Sequence, residues 1–199
     1  MTGTADPRAA LRRCMRDARR ALDPPSRVSA ANAVARRLLD FPGAPIHGRV
    51  AGYWAMDGEI ALHAWQLGLP PATTYCLPVL HEDGRLRFAA WRPGEPLAAN
   101  RHGIPEPDVP RELLLDAHTL DAAIVPLVAF DARCHRLGMG GGWYDRTFAF
   151  RAESPAPPLL LGAAFELQRV DTLQAEAWDI PLDGVCTERA THLPEPTRP

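Results

Sequence analysis

Four of the five residues from Gly138 to Gly142 are glycines; only Met139 interrupts them, and Trp143-Tyr144-Asp145-Arg146 follows directly. Glycines let backbone amides approach an anion closely, and a helix beginning behind them would add its positive end. Phosphate binding is the natural chemistry, although glycine-rich loops also make turns and tight packing. A buried apolar run, Ala122 to Phe130, leads into this segment, so the loop belongs outside the carboxyl end of a central strand, where open α/β sheets bind ligands. Cys134-His135 just upstream invites a thiol reading. Sequence neighbours rarely face each other correctly, however, and no third orienting group is evident.

All 22 basic residues are arginines and none is lysine. That excludes Schiff-base chemistry and the lysine-containing phosphate loop, because a guanidinium does not deprotonate to a nucleophile. Any phosphate grip must come from arginine, backbone amides or metal. Arg8, Arg12, Arg13, Arg16, Arg19 and Arg20 crowd the opening stretch and suit either an anionic ligand or a solvated helix face. The formal charge of −2 provides no global field for nucleic acid or membrane. Cys14, Cys76, Cys134 and Cys186 lack metal or redox spacing and read as free thiols. With no apolar signal core and no membrane-length apolar run, a cytoplasmic address is expected.

The elements that must position these residues alternate. Leu11, Met15, Ala18 and Leu22 repeat at helical spacing, and a second helix carries Val28, Ala31, Ala35 and Leu38. Arg49 to Trp54 reads as a buried strand, followed by a turn at Met56-Asp57-Gly58-Glu59 and a short helix through Trp65. Thr73–Leu80 and Leu86–Trp91 form a hairpin about Asp83-Gly84. Prolines at 93, 96, 105, 107 and 110 make the next passage irregular. Leu159–Ala164 is another buried strand, and Val185 begins a final short one. The pattern predicts an α/β fold: one domain over residues 1–190, with two N-terminal helices, a mostly parallel sheet and an edge hairpin. Residues 191–199 are expected to fray.

The loop RLGMGGGWYDR resembles RLGYGGGYYDR, the nucleotide-binding signature of the 5-formyltetrahydrofolate cyclo-ligase family. AGYWAMDGEI, PGEPL, GIPEP, IVPLVAFD, GAAFELQ and WDIPLDGVCTE resemble further family blocks in the same order, from about Arg8 to about Glu188. The resemblance implies a three-layer α/β/α domain with a Rossmann-like sheet, akin to sugar-phosphate isomerases and CoA-transferases. It implies ATP-dependent cyclisation of 5-formyltetrahydrofolate to 5,10-methenyltetrahydrofolate, with ATP as co-substrate and Mg²⁺ as cofactor. Arg8, Arg12, Arg136, Leu137, Gly138, Met139, Gly140, Gly141, Gly142, Trp143 and Tyr144 would hold ATP. Arg136, Tyr144 and Arg146 would border the reacting formyl group or clamp charge, and Asp145 and Asp179 would hold the metal.

Glu59 matches the family's folate-binding glutamate, and Tyr53, Trp91, Gly140 and Trp143 are the other folate candidates. The implied partners are ATP and 5-formyltetrahydrofolate, in mono- or polyglutamylated form, bound by a monomer that contacts neither nucleic acid nor membrane. The chain departs from the family pattern at Arg8, usually Lys, at Met139 and Trp143, and at Cys134-His135, where Gly and an aromatic are usual. Taken alone, Asp145 and Glu59 would read as helix-start acids and Asp179 as a turn cap. A non-catalytic folate- or nucleotide-binding homologue is the alternative in the same family. A sugar-phosphate isomerase or acyl-transfer enzyme using the glycine loop for a monophosphate is the alternative outside it.

Overall fold

A computed structural model describes residues 6–45 and 47–195. Two helices open it. In α1 (Pro7–Arg20) the Asp6 carboxylate accepts the Arg8 N–H at 2.9 Å, with Pro7 in the first turn. The second helix, α2 (Pro24–Leu39), starts the same way, with Asp23 accepting the Ser26 N–H at 2.9 Å. Both starts use an acid to satisfy an orphan amide and a proline where no amide is needed.

Next come β1 (Gly48–Ala51), α3 (His63–Gly68), β2 (Thr73–Leu80) and β3 (Leu86–Ala90), then a small ribbon of β4 (Leu97–Ala99) and β5 (Pro105–Pro107). The remainder holds β6 (Ala122–Val125), β7 (Ala129–Phe130), β8 (Arg136–Leu137), α4 (Trp143–Thr147), β9 (Leu159–Ala163), β10 (Gly184–Cys186) and β11 (Thr191–His192). The main sheet runs β11-β10-β9-β6-β1-β2-β3. It is parallel from β10 through β2 and antiparallel at both edges. The mostly parallel α/β sheet and the β2–β3 edge hairpin are as the sequence predicts.

Successive residues of the central strands serve opposite faces. Val50, Ala122, Ile124 and Leu161 meet Val34 and Leu38 of α2 and Trp65 of α3. Ala51, Ala123, Val125 and Leu160 face the other way, onto Phe88, Leu120 and Phe148. This two-residue period, buried on both sides, is why the strands read as continuous apolar runs. The second face is covered by the short α4 and by 3-10 turns at Ala117–Thr119 and Ala149–Ala152, a thinner layer than the long helices a Rossmann-like sheet suggests.

Three local expectations change. The run from Ala122 to Phe130 is two strands in different sheets, since Pro126 cannot continue the ladder and β7 pairs with β8 instead. The proline-rich passage is an ordered ribbon in which Pro105 and Pro107 occupy an edge strand, where a missing N–H is tolerated. Thr191 and His192, placed in the fraying tail by the sequence reading, pair with β10 as the sheet edge, while residues 196–199 of that tail lie outside the described residues.

Helix α1 belongs to neither layer. Its Leu11 and Met15 rest on Ala129, Leu137, Val170 and Leu173. Its arginines reach Asp57, whose left-handed backbone (φ 52°) turns the carboxylate up toward the helix. Arg16 Nε donates to Asp57 at 2.6 Å, Arg19 Nη2 at 3.1 Å, and Arg20 joins them. Arg19 is wholly buried and also donates to the backbone oxygens of Asp57 and Leu127. Burial alone would raise the Asp57 carboxyl, but the Arg16 and Arg20 hydrogen bonds and the charges of Arg16 and Arg19 outweigh it and lower it.

Asp57→Asn keeps a backbone that asparagine tolerates while removing the charge beneath three guanidiniums. Stability should fall by about 3 kcal/mol in urea unfolding near neutral pH. The wild-type contribution is complete above the ordinary Asp value of 3.8 and is lost as acid passes the lower folded value. An unchanged urea midpoint would mean that Asp57 does not hold α1.

Candidate active site

A cavity of about 750 Å³ opens at the carboxyl ends of β1, β2 and β6, lined there by Tyr53, Leu80 and Pro126 and roofed by Arg8, Arg12 and Arg19 of α1. The α1 arginines that line it lie on one helical stripe, so the basic face turns inward. It is not the solvated outer face that charge pattern alone allowed.

One wall is the glycine loop, and a buried carboxylate sets its base. Asp131, only 1% exposed, accepts the amides of Arg133 at 3.0 Å, His135 at 3.1 Å and Leu173 at 3.1 Å. Gly140 and Gly142 have φ of 97° and 65°. At Gly142 the positive φ is what favours glycine; a Cβ there would also lie 2.6 Å from the end of the Arg146 side chain, which would have to shift. Two arginines hold the loop by its carbonyls: Arg12 Nε donates to Gly138 O at 2.9 Å, and Arg146 Nη2 to Gly141 O at 2.9 Å. Among the described residues no protein acceptor takes the amides of Gly140, Gly141 or Gly142. The loop therefore presents free donors while the carbonyls of Gly138, Gly141 and Gly142 are tied back, the polarity an anion needs. Helix α4 has only 5 residues, so the amides rather than a macrodipole supply the positive end.

The acids meet beside this loop. Asp145 accepts from Arg136 Nη2 at 2.8 Å and from the Ile180 N–H at 3.3 Å, which brings the Asp179 segment alongside. Asp179 accepts from Arg8 Nη2 at 2.9 Å and from the Glu176 N–H at 2.9 Å. Arg136 is buried, and its Nε has no protein partner. No group of three or more His, Cys, Asp or Glu side chains converges on a metal-sized space among the described residues. Two neighbouring carboxylates nevertheless fit a hard cation whose remaining ligands are phosphate oxygens and water.

At the opposite end, Glu59 accepts the Met56 N–H at 3.0 Å and lies 3.7 Å from Arg19. Burial pushes its carboxyl up, against the pull of the Met56 amide and the Arg19 charge. Tyr53 and Tyr144 stand nearby, and burial, then the charge of Glu59, raises both phenols. Both stay neutral. The Tyr53 hydroxyl donates to Ile60 O at 2.9 Å, leaving mainly its ring to the cavity. Trp54, Met56, Leu80, Leu86 and Ile104 supply an apolar wall.

Arg8, Arg12, Tyr53, Glu59, Arg136, Gly138, Met139, Gly140, Gly141, Gly142, Tyr144, Asp145 and Asp179 all line this cavity. Four expected residues stand outside the lining. Leu137 is core, because it alternates with Arg136 along β8 and faces Leu173. Trp91 packs edge-on to Trp54 at 5.9 Å behind the wall, and its indole donates to Glu95 O. Trp143 carries the Arg101 and Arg146 guanidiniums over its ring at 5.2 and 5.4 Å. Arg146 is occupied with Gly84 O and Gly141 O, so it braces the loop from outside. Cys134 is buried, with a thiol pushed up to about 12, chiefly by burial, and carries no nucleophilic chemistry. Its φ of 58° explains why glycine suits that position.

Sequence reading missed Asp57, Glu176, Trp178 and the β4–β5 tip with Asn100 and His102, all of which line the cavity, and it left Arg19 among the N-terminal arginines that suit either an anion or a solvated face. The spacing of Arg8, Arg12, Arg16 and Arg19 was a usable signal, since steps of three and four share a helix face. At the ribbon the prolines masked the strand pattern, and PGEPL and GIPEP marked the passage without singling out Asn100 or His102.

A raised folded value for Glu59 means that its ionisation opposes folding above its ordinary 4.5. Glu59→Gln should therefore melt on the order of 2 °C higher at pH 7. That gain should vanish near pH 4, where the wild-type carboxyl is protonated. A lower melting temperature at pH 7 would show that Glu59 is held by attraction that outweighs its burial.

Comparison with known proteins gives the family and the fold. Residues 4–188 match the 5-formyltetrahydrofolate cyclo-ligase family. The chain is 37% identical over 180 residues to the 5-formyltetrahydrofolate cyclo-ligase of Escherichia coli K12, covering 87% of this chain and 96% of that one. It is 39% identical over 137 residues to the Haemophilus influenzae cyclo-ligase, covering 67% and 72%. The structure of Aquifex aeolicus 5,10-methenyltetrahydrofolate synthetase superposes with a TM-score of 0.79 at 27% identity, over 96% of this chain and 95% of that chain. The Mycoplasma pneumoniae synthetase shares the fold, with a TM-score of 0.69 at 20% identity over 92% and 99%. The glycine wall, the inward arginines and the buried Glu59 are thus those of a chain that belongs to the 5-formyltetrahydrofolate cyclo-ligase family.

Proposed function

We propose that this chain is a ligase that closes 5-formyltetrahydrofolate to 5,10-methenyltetrahydrofolate, using ATP and releasing ADP and phosphate. The observation that carries this reading is a single cavity with free glycine-loop amides and two acids at one end and a buried carboxylate with an apolar wall at the other. The residues named above that line the cavity come from one chain, which supports action as a monomer.

A formamide oxygen is a poor leaving group and phosphate a good one. In the proposed sequence the formyl oxygen attacks the γ-phosphorus and ADP departs. Nitrogen N10 then adds to the activated carbon, and its proton and the phosphate leave as the double bond forms. The chain needs no covalent intermediate of its own; it aligns the reactants and spreads negative charge.

Glu59 accepts hydrogen bonds from the pterin's N–H groups, and its buried setting gives those bonds more weight than in water. The amides of Gly140 to Gly142 take phosphate oxygens. Arg8, Arg12 and Arg136 neutralise charge around them, the last with a buried Nε that still lacks an acceptor. Asp145 and Asp179 would hold Mg²⁺, which when bound supplies charge neutralisation at the phosphates. Where the family usually has an aromatic, Met139 is 52% exposed at the rim and offers a flexible apolar cover.

The test is the near-ultraviolet absorbance of the methenyl product, followed with chain, 5-formyltetrahydrofolate, ATP and Mg²⁺ each left out in turn. Product should require all four. Tight folate or nucleotide binding without product would make the chain a non-catalytic homologue. Asp145→Asn should lower kcat/KM on the order of 100-fold and shift the magnesium titration to higher concentration. An unaltered magnesium titration would remove Asp145 from the cation site.

A further inference from the structure

Resting on the ATP-dependent cyclisation proposed above, we propose that Trp178 is the stacking platform for the purine base of the nucleotide. Trp178 is 65% exposed yet lines the cavity beside Arg8, Glu176 and Asp179. Trp65 and Trp91 are buried, and Trp54 packs on Trp91. Among the described residues Trp178 has no aromatic partner of its own. A large indole kept in water at the mouth of a binding cavity is an apolar surface awaiting a flat ligand.

The turn beneath it is fixed. The Asp179 N–H donates to Glu176 O at 3.0 Å and the Glu176 N–H to the Asp179 carboxylate at 2.9 Å. Arg8 then ties both acids to α1, reaching Asp179 at 2.9 Å and Glu176 at 3.7 Å. A platform held this way loses little entropy on binding.

Helix α1 also sets the order of subsites. Arg8 holds the Trp178 turn, Arg12 holds the glycine loop, and Arg19 holds the Glu59 turn. At 1.5 Å per residue, Arg8 lies about 6 Å along the helix from Arg12, and Arg19 about 10 Å beyond Arg12 in the same direction. The phosphates sit at the middle station, and the folate ring takes the Arg19 end. The nucleoside must therefore extend toward the Arg8 end, where Trp178 offers its face.

Base–aromatic stacking predicts that Trp178→Ala raises the Kd and KM for ATP about 10-fold and that Trp178→Phe stays within about 3-fold of the wild type. Inorganic tripolyphosphate, which has no base, should inhibit the wild type and Trp178→Ala equally, and KM for 5-formyltetrahydrofolate should not move. Quenching of tryptophan emission by ATP should disappear in Trp178→Phe. Wild-type ATP affinity in Trp178→Ala would overturn the proposal. So would an equal weakening of tripolyphosphate, which would make Trp178 only a support for Asp179. Absence of methenyl product from the unaltered chain would count against the cyclisation reading, while the fluorescence titration still decides the platform.

Discussion

A guanidinium with no exposure to water must have its charge answered within the protein, and Arg19 is that group here. Its donors go to the Asp57 carboxylate and to the backbone oxygens of Asp57 and Leu127. Three separate pieces meet at this one side chain: α1, the turn after β1 that carries Glu59, and the segment after β6. Desolvating a cation costs several kcal/mol unless the geometry repays it, so α1 cannot rest there loosely. Its apolar anchorage is Leu11 and Met15 on Val170 and Leu173. The roof of the cavity and the position of Glu59 therefore depend on the same set of charge-assisted hydrogen bonds.

The parallel sheet explains why everything else arrives at the same place. Strands β1, β2 and β6 run in one direction, and their carboxyl ends release the chain into Tyr53, Leu80 and Pro126, which line a common opening. The site's polar residues are then carried on turns with their own fixed points. Asp131 gathers three amides below the glycine loop, and Arg146 clips that loop to the β2–β3 hairpin. Binding residues sit on loops that a rigid scaffold positions.

Much of this was legible in the sequence. The strand periods, the hairpin at Asp83-Gly84 and the glycine loop are local features, and local chemistry marks them. The motif also identified Glu59, Asp145 and Asp179 as site acids, and all three line the cavity. What escaped depended on tertiary partners. Nothing near Trp143 says that two guanidiniums will cover its ring, and nothing near Arg146 says that Gly84 will claim it. Trp91 and Leu137 read as site residues because of their type or their motif, but strand alternation turned them behind the wall. Asp57 looked like an ordinary turn acid, because the three arginines that define it lie some forty residues earlier in the chain.

The substitution of arginine for the family's usual lysine at position 8 has a structural meaning in this arrangement. A lysine ammonium is a compact point charge on a flexible stem, whereas a guanidinium presents a planar fork of donors. Arg8 uses two of its nitrogens on two carboxylates, Asp179 and Glu176, which are already linked through the turn between them. The fork sets the orientation of the whole turn relative to the first turn of α1, and so fixes where Trp178 projects. A point charge at the same position would neutralise these acids but would leave the turn freer to rotate. In this chain the Arg8 end of the cavity is therefore shaped by the geometry of one guanidinium as much as by its charge.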